Sequence, residues 1–155
     1  GGDLVIATGA IRLLGTAREY LPIEFPAVAD FELTGCLVDA AREGGYRYHT
    51  GVVQCKDSFY GQHSPGRMPV SYDLEQKWEA WLRGGTLASE MESAALYIVC
   101  QSLGAKAACI LNTIWNQERR ARGMDDSESH DTMRGIRVAV EAIKLHIQRE
   151  REQKL

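Results

Sequence analysis

Residues 105–115, AKAACILNTIW, form an almost unbroken apolar run, and this run most constrains the fold. It reads as a strand with both faces covered, because a half-exposed strand would alternate apolar and polar residues. Such a sheet needs helices on either side, and the chain supplies them. Asp30 reads as the N-cap of a helix to about residue 42, stopped by Gly44 and Gly45. Residues 71–83 place Leu74, Trp78, Trp81 and Leu82 near helical spacing ahead of Gly84 and Gly85. A further helix is expected from about 91 to 103, and in a long final helix Ile136, Val140, Ile143 and Ile147 line one face. Strands are expected at 5–8, ended by Gly9, at 46–55 and at 86–89. Strands alternating with helices predict an α/β domain, a three-layer αβα arrangement around a mostly parallel or mixed sheet.

Two stretches are expected to be irregular. Residues 13–30, LLGTAREYLPIEFPAVAD, hold two prolines, and residues 56–69 carry Gly61, Pro65, Gly66 and Pro69. The charged end, residues 148–155, reads as a solvated last turn.

With 155 residues, 45% of them hydrophobic, the chain has enough apolar side chains for one domain spanning 1–155. A formal net charge of -3 leaves no basic footprint for nucleic acid, and no apolar run is long enough for a membrane helix. No targeting segment is legible, so a cytoplasmic protein is expected. Cys36, Cys55, Cys100 and Cys109 lack metal-ligand spacing and read as reduced thiols. Asp57, Asp125 and Asp126 lack a repeated ligand pattern, and no metal is expected. The chain opens with GGDLVIAT, which enters a strand with almost no preamble, as if from inside a larger, N-terminally truncated protein.

In α/β sheets, ligands bind where strands end and loops begin. Three such points are KDSFYGQHSPGR (56–67), SEMES (89–93) and IWNQER (114–119). Glu90 and Glu92 either cap the helix that follows or accept hydrogen bonds from sugar hydroxyls, with Met91 as an apolar floor beneath the ring. Gln62 carries a donor and an acceptor and Arg67 a planar fork of donors, which together match the edge of a pyrimidine. Phe59 can stack on a base, and Ile114 and Trp115 can wall a flat ligand. The alternatives are a polar surface loop around a core aromatic, and core packing for Ile114 and Trp115. His63 reads as loop surface with no catalytic role, and Asn116, Gln117 and Arg119 as a solvated loop.

Taken together, LPIEFPAVADFE, KDSFYGQ and SEMESAAL resemble, in the same order, the nucleoside phosphorylase-I family and its uridine-cleaving members. The resemblance implies that Glu92 binds ribose hydroxyls, that Met91 packs on the sugar and that Glu90 supports both. It implies that Gln62 and Arg67 read uracil, with Phe59, Ile114 and Trp115 lining the pocket, and that Gln62, Arg67 and Glu92 are catalytic. It further implies phosphorolysis of uridine to uracil and ribose 1-phosphate without cofactor, phosphate being the co-substrate, in a homo-oligomer built from dimers, up to a hexamer. The family's phosphate-binding region is expected upstream of Gly1. Spacing departs from the family pattern between Gln62 and Arg67, where four residues intervene instead of one. A purine or broad-specificity phosphorylase, a nucleosidase, and a non-catalytic nucleoside-binding fragment are the other readings.

Overall fold

The computed structural model describes residues 1–153; Lys154 and Leu155, which belong to the charged end expected to be solvated, lie outside the described residues. Five strands, β1 (Leu4–Arg12), β2 (Ala27–Val28), β3 (Tyr48–Cys55), β4 (Ala88–Glu90) and β5 (Cys109–Asn112), form one sheet in the order β2–β1–β3–β4, with β5 also on β1. The helices are α1 (Gly15–Tyr20), α2 (Phe31–Glu43), α3 (Phe59–His63), α4 (Ser71–Arg83), α5 (Ser93–Ser102), α6 (Gln117–Ala121) and α7 (Met133–Gln153). Both β1–β2 and β1–β5 are antiparallel and β3–β4 is parallel. The fold is therefore α/β, with a mixed, open sheet flanked by helices, as the alternating pattern predicted.

The chain divides into two compact units, and β1 and β3 each contribute residues to both. The first unit comprises Gly1–Thr8, Ala29–Thr50 and the chain from Lys106 onward. Its core is Leu4 and Ile6 of β1, Cys36, Leu37, Ala40 and Ala41 of α2, and Val138 and Ala142 of α7. Asp30 caps α2 as expected, accepting from the N–H of Leu33 at 2.8 Å, and Gly45 leaves the helix at φ +68°. The apolar run at 105–115 yields only four strand residues, Cys109–Asn112, all half-buried. Its register sets Ala7 opposite Cys109, and further along the strand Gly9 and Ala10 of β1 pair with β2 instead. The face of α7 lined by Ile136, Val140, Ile143 and Ile147 is half-exposed, and Gly135, Val138 and Ala142 are the buried residues of the helix.

The second unit comprises Gly9–Val28 and Gly51–Ala105. Here β1 does not stop at Gly9 but runs to Arg12, and Gly9 is where β2 comes close: a Cβ there would lie 3.2 Å from the Ala27 carbonyl oxygen. The stretch 13–30, expected to be irregular, contains α1 and β2. Arg12 orders it from within. Buried to 8% exposure, its guanidinium donates to the carbonyl oxygens of Ala17 (2.6 Å), Leu21 (2.9 Å), Pro22 (2.6 Å), Ile23 (3.2 Å) and Phe25. Residues 56–69 likewise hold α3 and a 3₁₀ turn, Pro65–Arg67. Helix α4 stands as expected, with Leu74, Trp78, Trp81 and Leu82 half-buried. Among the described residues no helix is long and apolar enough to cross a membrane.

Candidate functional site

Parallel pairing brings the ends of β3 and β4 side by side in the second unit, with Cys55 opposite Glu90. The N–H of Lys56 donates to the Glu90 carbonyl at 2.9 Å, so the loops after both strands start at the same sheet edge. This is the position at which open α/β sheets bind ligands.

The two glutamates of SEMES are held differently. Glu90 turns its carboxylate onto the start of α5, accepting from the N–H groups of Glu92 and Ser93 (both 2.7 Å) and from the Ser93 hydroxyl (2.5 Å). It thereby satisfies donors that a helix N-terminus leaves without intrahelical partners. Glu92 is the N-cap residue itself, yet its side chain makes no capping bond. That side chain is exposed and takes the N–H of half-buried Met91 at 3.1 Å. A carboxylate on a turn fixed by its neighbour is suited to accept from paired hydroxyls.

Behind these residues lies a polar cluster that sequence reasoning missed. Lys56, 6% exposed, donates from Nζ to Ser89 Oγ at 2.8 Å. Ser89 Oγ lies 2.7 Å from Gln54 Oε1 and 2.5 Å from Gln62 Oε1. Burial holds the Lys56 ammonium below the ordinary lysine range, while the charges of Glu90 and Glu92 pull it back. The available signal was slight: one lysine directly after VVQC and one serine before the first glutamate.

Phe59 opens α3, whose first turn is closed by the Gly61 N–H donating to Ser58 Oγ at 3.2 Å. Its ring is 51% exposed, which removes the core-aromatic alternative. Tyr60 meets it edge-on at 5.5 Å and His63 lies tilted at 4.2 Å. His63 was expected on the loop surface; instead it packs half-buried against Phe59. Burial, then the Lys56 charge, hold its imidazole below the ordinary histidine value. Gln62 is thus drawn into the cluster through Ser89, whereas Arg67, exposed in the 3₁₀ turn, carries its guanidinium 5.9 Å from the Tyr60 ring centroid.

Ile114 and Trp115 belong to the first unit. Ile114 is exposed, and Trp115 is half-buried with the Arg120 guanidinium 4.3 Å from its ring centroid. Arg120 is in turn held by Glu128 (2.7 Å) and Asp126 (3.2 Å). The loop expected at Asn116, Gln117 and Arg119 is the start of α6, capped by Asn116 Oδ1 accepting from the Arg119 N–H at 2.9 Å. Among the described residues no group of three or more His, Cys, Asp or Glu side chains is placed to hold a metal ion.

Residues 1–146 match the profile of the Phosphorylase superfamily. The uridine phosphorylase of Treponema pallidum (strain Nichols) is 56% identical over 146 residues, covering 94% of this chain and 57% of that protein. Those of Escherichia coli (strain K12) and Thermococcus kodakarensis are 37% and 36% identical, over 92% and 93% of this chain and 58% and 51% of their own lengths. The chain therefore spans about half the length of the curated relatives it matches. With the profile covering nearly all of its residues, the chain belongs to the phosphorylase superfamily.

Proposed function

We propose that the chain carries the base- and ribose-binding part of a uridine phosphorylase, a pentosyltransferase that cleaves uridine with phosphate and needs no organic cofactor. The observation that carries this reading is the 56% identity to a uridine phosphorylase over nearly the whole chain. The exposed Glu92 carboxylate and the partly exposed Phe59 and Gln62, at one sheet edge, support it. The chain is read as part of one phosphorylase domain.

In this reaction the C1′–N1 bond breaks, a phosphate oxygen forms the new bond to C1′, and uracil leaves with the electron pair and gains a proton. Positive charge develops on the ribose and negative charge on the base. Gln62 and Arg67 are assigned to the base, with Phe59 stacked on it; oriented donors of this kind contribute about 3 to 4 kcal/mol to the transition state. Glu92 takes the ribose hydroxyls, Met91 supports the sugar face, and Glu90 holds the turn. Ile114 and Trp115 are assigned to the base by resemblance alone. Phosphate supplies the nucleophile, so orientation carries much of the rate and no protein nucleophile is needed. The same reading takes the protein as cytoplasmic and as a dimer-based homo-oligomer, up to a hexamer, which light scattering of the purified protein measures.

The test is chromatographic release of uracil from uridine by the protein carrying this chain, with and without phosphate. Phosphate-dependent release is expected. Equal release without phosphate would make it a nucleosidase, and faster cleavage of guanosine than of uridine would make it a purine enzyme. Nucleoside binding without turnover, even with the remainder of the protein present, would leave only a binding role.

A further inference from the structure

Lysine is seldom buried, and Lys56 is buried with its ammonium bonded to a hydroxyl. An ammonium only donates, so Ser89 Oγ must accept from it, and the single hydroxyl proton is left for Gln54 Oε1 or Gln62 Oε1. The adjacent positive charge makes that hydroxyl a stronger donor. When its proton goes to Gln62, the hydrogen bond fixes the amide oxygen and with it the orientation of the amide plane. Lys56 Nζ also lies 5.8 Å from the centroid of the Phe59 ring, within cation–π range. One cation thus reaches both a side chain assigned to the polar edge of the base and one assigned to its face.

We propose that Lys56, acting through Ser89, is a positioning residue that fixes the Gln62 amide and the Phe59 ring for a planar base presenting carbonyl acceptors, and so sets base selection. This rests on the assignment of Gln62 and Phe59 to the base made above. Gln54, 4% exposed on β3, is the competing acceptor for the Ser89 proton, its Oε1 lying 2.7 Å from Ser89 Oγ.

The experiment is calorimetric binding of uridine and of cytidine, in which an amino group replaces the carbonyl at position four, to the protein carrying this chain. Wild type is compared with Lys56→Met, Lys56→Arg, Ser89→Ala, Ser89→Thr and the Lys56→Met/Ser89→Ala double variant. Lys56→Met and Ser89→Ala are each expected to weaken uridine about tenfold, the loss of about one good hydrogen bond, and to leave cytidine nearly unchanged. The double variant is expected to be no worse than either single one, because both break the same tie. Ser89→Thr, which keeps the hydroxyl, should restore uridine binding, and Lys56→Arg, which keeps the charge, should restore part of it. A purely structural lysine would lower the melting temperature and weaken both nucleosides alike. That result, an unchanged uridine-to-cytidine ratio in folded Lys56→Met, or additive losses in the double variant, would overturn the proposal. If Lys56→Met does not fold, the Ser89→Ala and Ser89→Thr pair reads the same tie. Wild type that binds neither nucleoside would overturn the proposed function itself, whereas a selective wild type with unaltered variants would overturn only the role of Lys56.

Discussion

Glu90 and Glu92 are two positions apart in the chain and answer to different forces. Glu90 accepts three hydrogen bonds at the start of α5, so Glu90→Ala should cost about 1 to 2 kcal/mol of stability, in the range of a lost cap, as read by urea denaturation. Glu92 is exposed and caps nothing, so Glu92→Ala should leave the denaturation midpoint nearly unchanged and weaken uridine at least tenfold. Equal effects of the two substitutions on stability would sink this division. The sequence identified the pair but not the division, because which carboxylate folds back on the helix depends on backbone angles just before its first turn. Lys56 and Ser89 left no periodic signal at all, since a single polar residue at a strand end is common. Next to them, Cys55 is fully buried, and its thiol is pushed from 9.0 up to about 12, chiefly by burial and further by the Glu90 charge, with the Ala94 N–H opposing. The folded state keeps the proton that the unfolded thiol releases. The resulting stabilisation is fully present below pH 9.0 and is lost as pH rises toward about 12. Cys55→Ala should therefore flatten the alkaline fall in stability, measured from urea midpoints at about pH 8 and about pH 10.

Among the elements, the long helices were legible and the short ones were not. Helices α2 and α4 have thirteen residues each, with glycines directly after them, enough to establish a period and an end. By contrast α1 has six residues with no side-chain cap, and α3 has five, so proline and glycine dominate what can be read of both regions. Tertiary bonding decides them instead. Arg12 gathers carbonyl oxygens between Ala17 and Phe25 around one buried guanidinium, a contact no local pattern encodes. Arg12→Met keeps most of the side-chain volume but strands those carbonyls. It should cost on the order of 3 kcal/mol and, in native-state proteolysis, expose residues 17–25 before the rest of the second unit. Uniform loss of protection across that unit would show that Arg12 supports the unit as a whole and not this segment.

At the scale of the whole molecule, the least legible feature was which side of α7 faces the core. The helix carries two apolar stripes: Ile136, Val140, Ile143 and Ile147 form the bulkier, while Gly135, Val138 and Ala142 form the smaller. Hydrophobic periodicity favours the first, because large side chains contribute more apolar area. The fold buries the second, because α7 packs on α2, where Ala40 and Ala41 leave room for close approach. Gly135 lets β5 approach as well: a Cβ there would lie 2.6 Å from the Asn112 amide nitrogen. Small side chains on both partners bring the helices together, and packing density then stabilises the pair more than the size of any single residue. Val138→Ala, at 1% exposure, should therefore cost about 2 kcal/mol. Ile143→Gln, at 53% exposure, should change stability by no more than about 0.5 kcal/mol despite removing the larger apolar side chain. Urea denaturation of the two variants measures the contrast directly, and a cost at Ile143 equal to that at Val138 would mean that the bulky stripe is covered in solution.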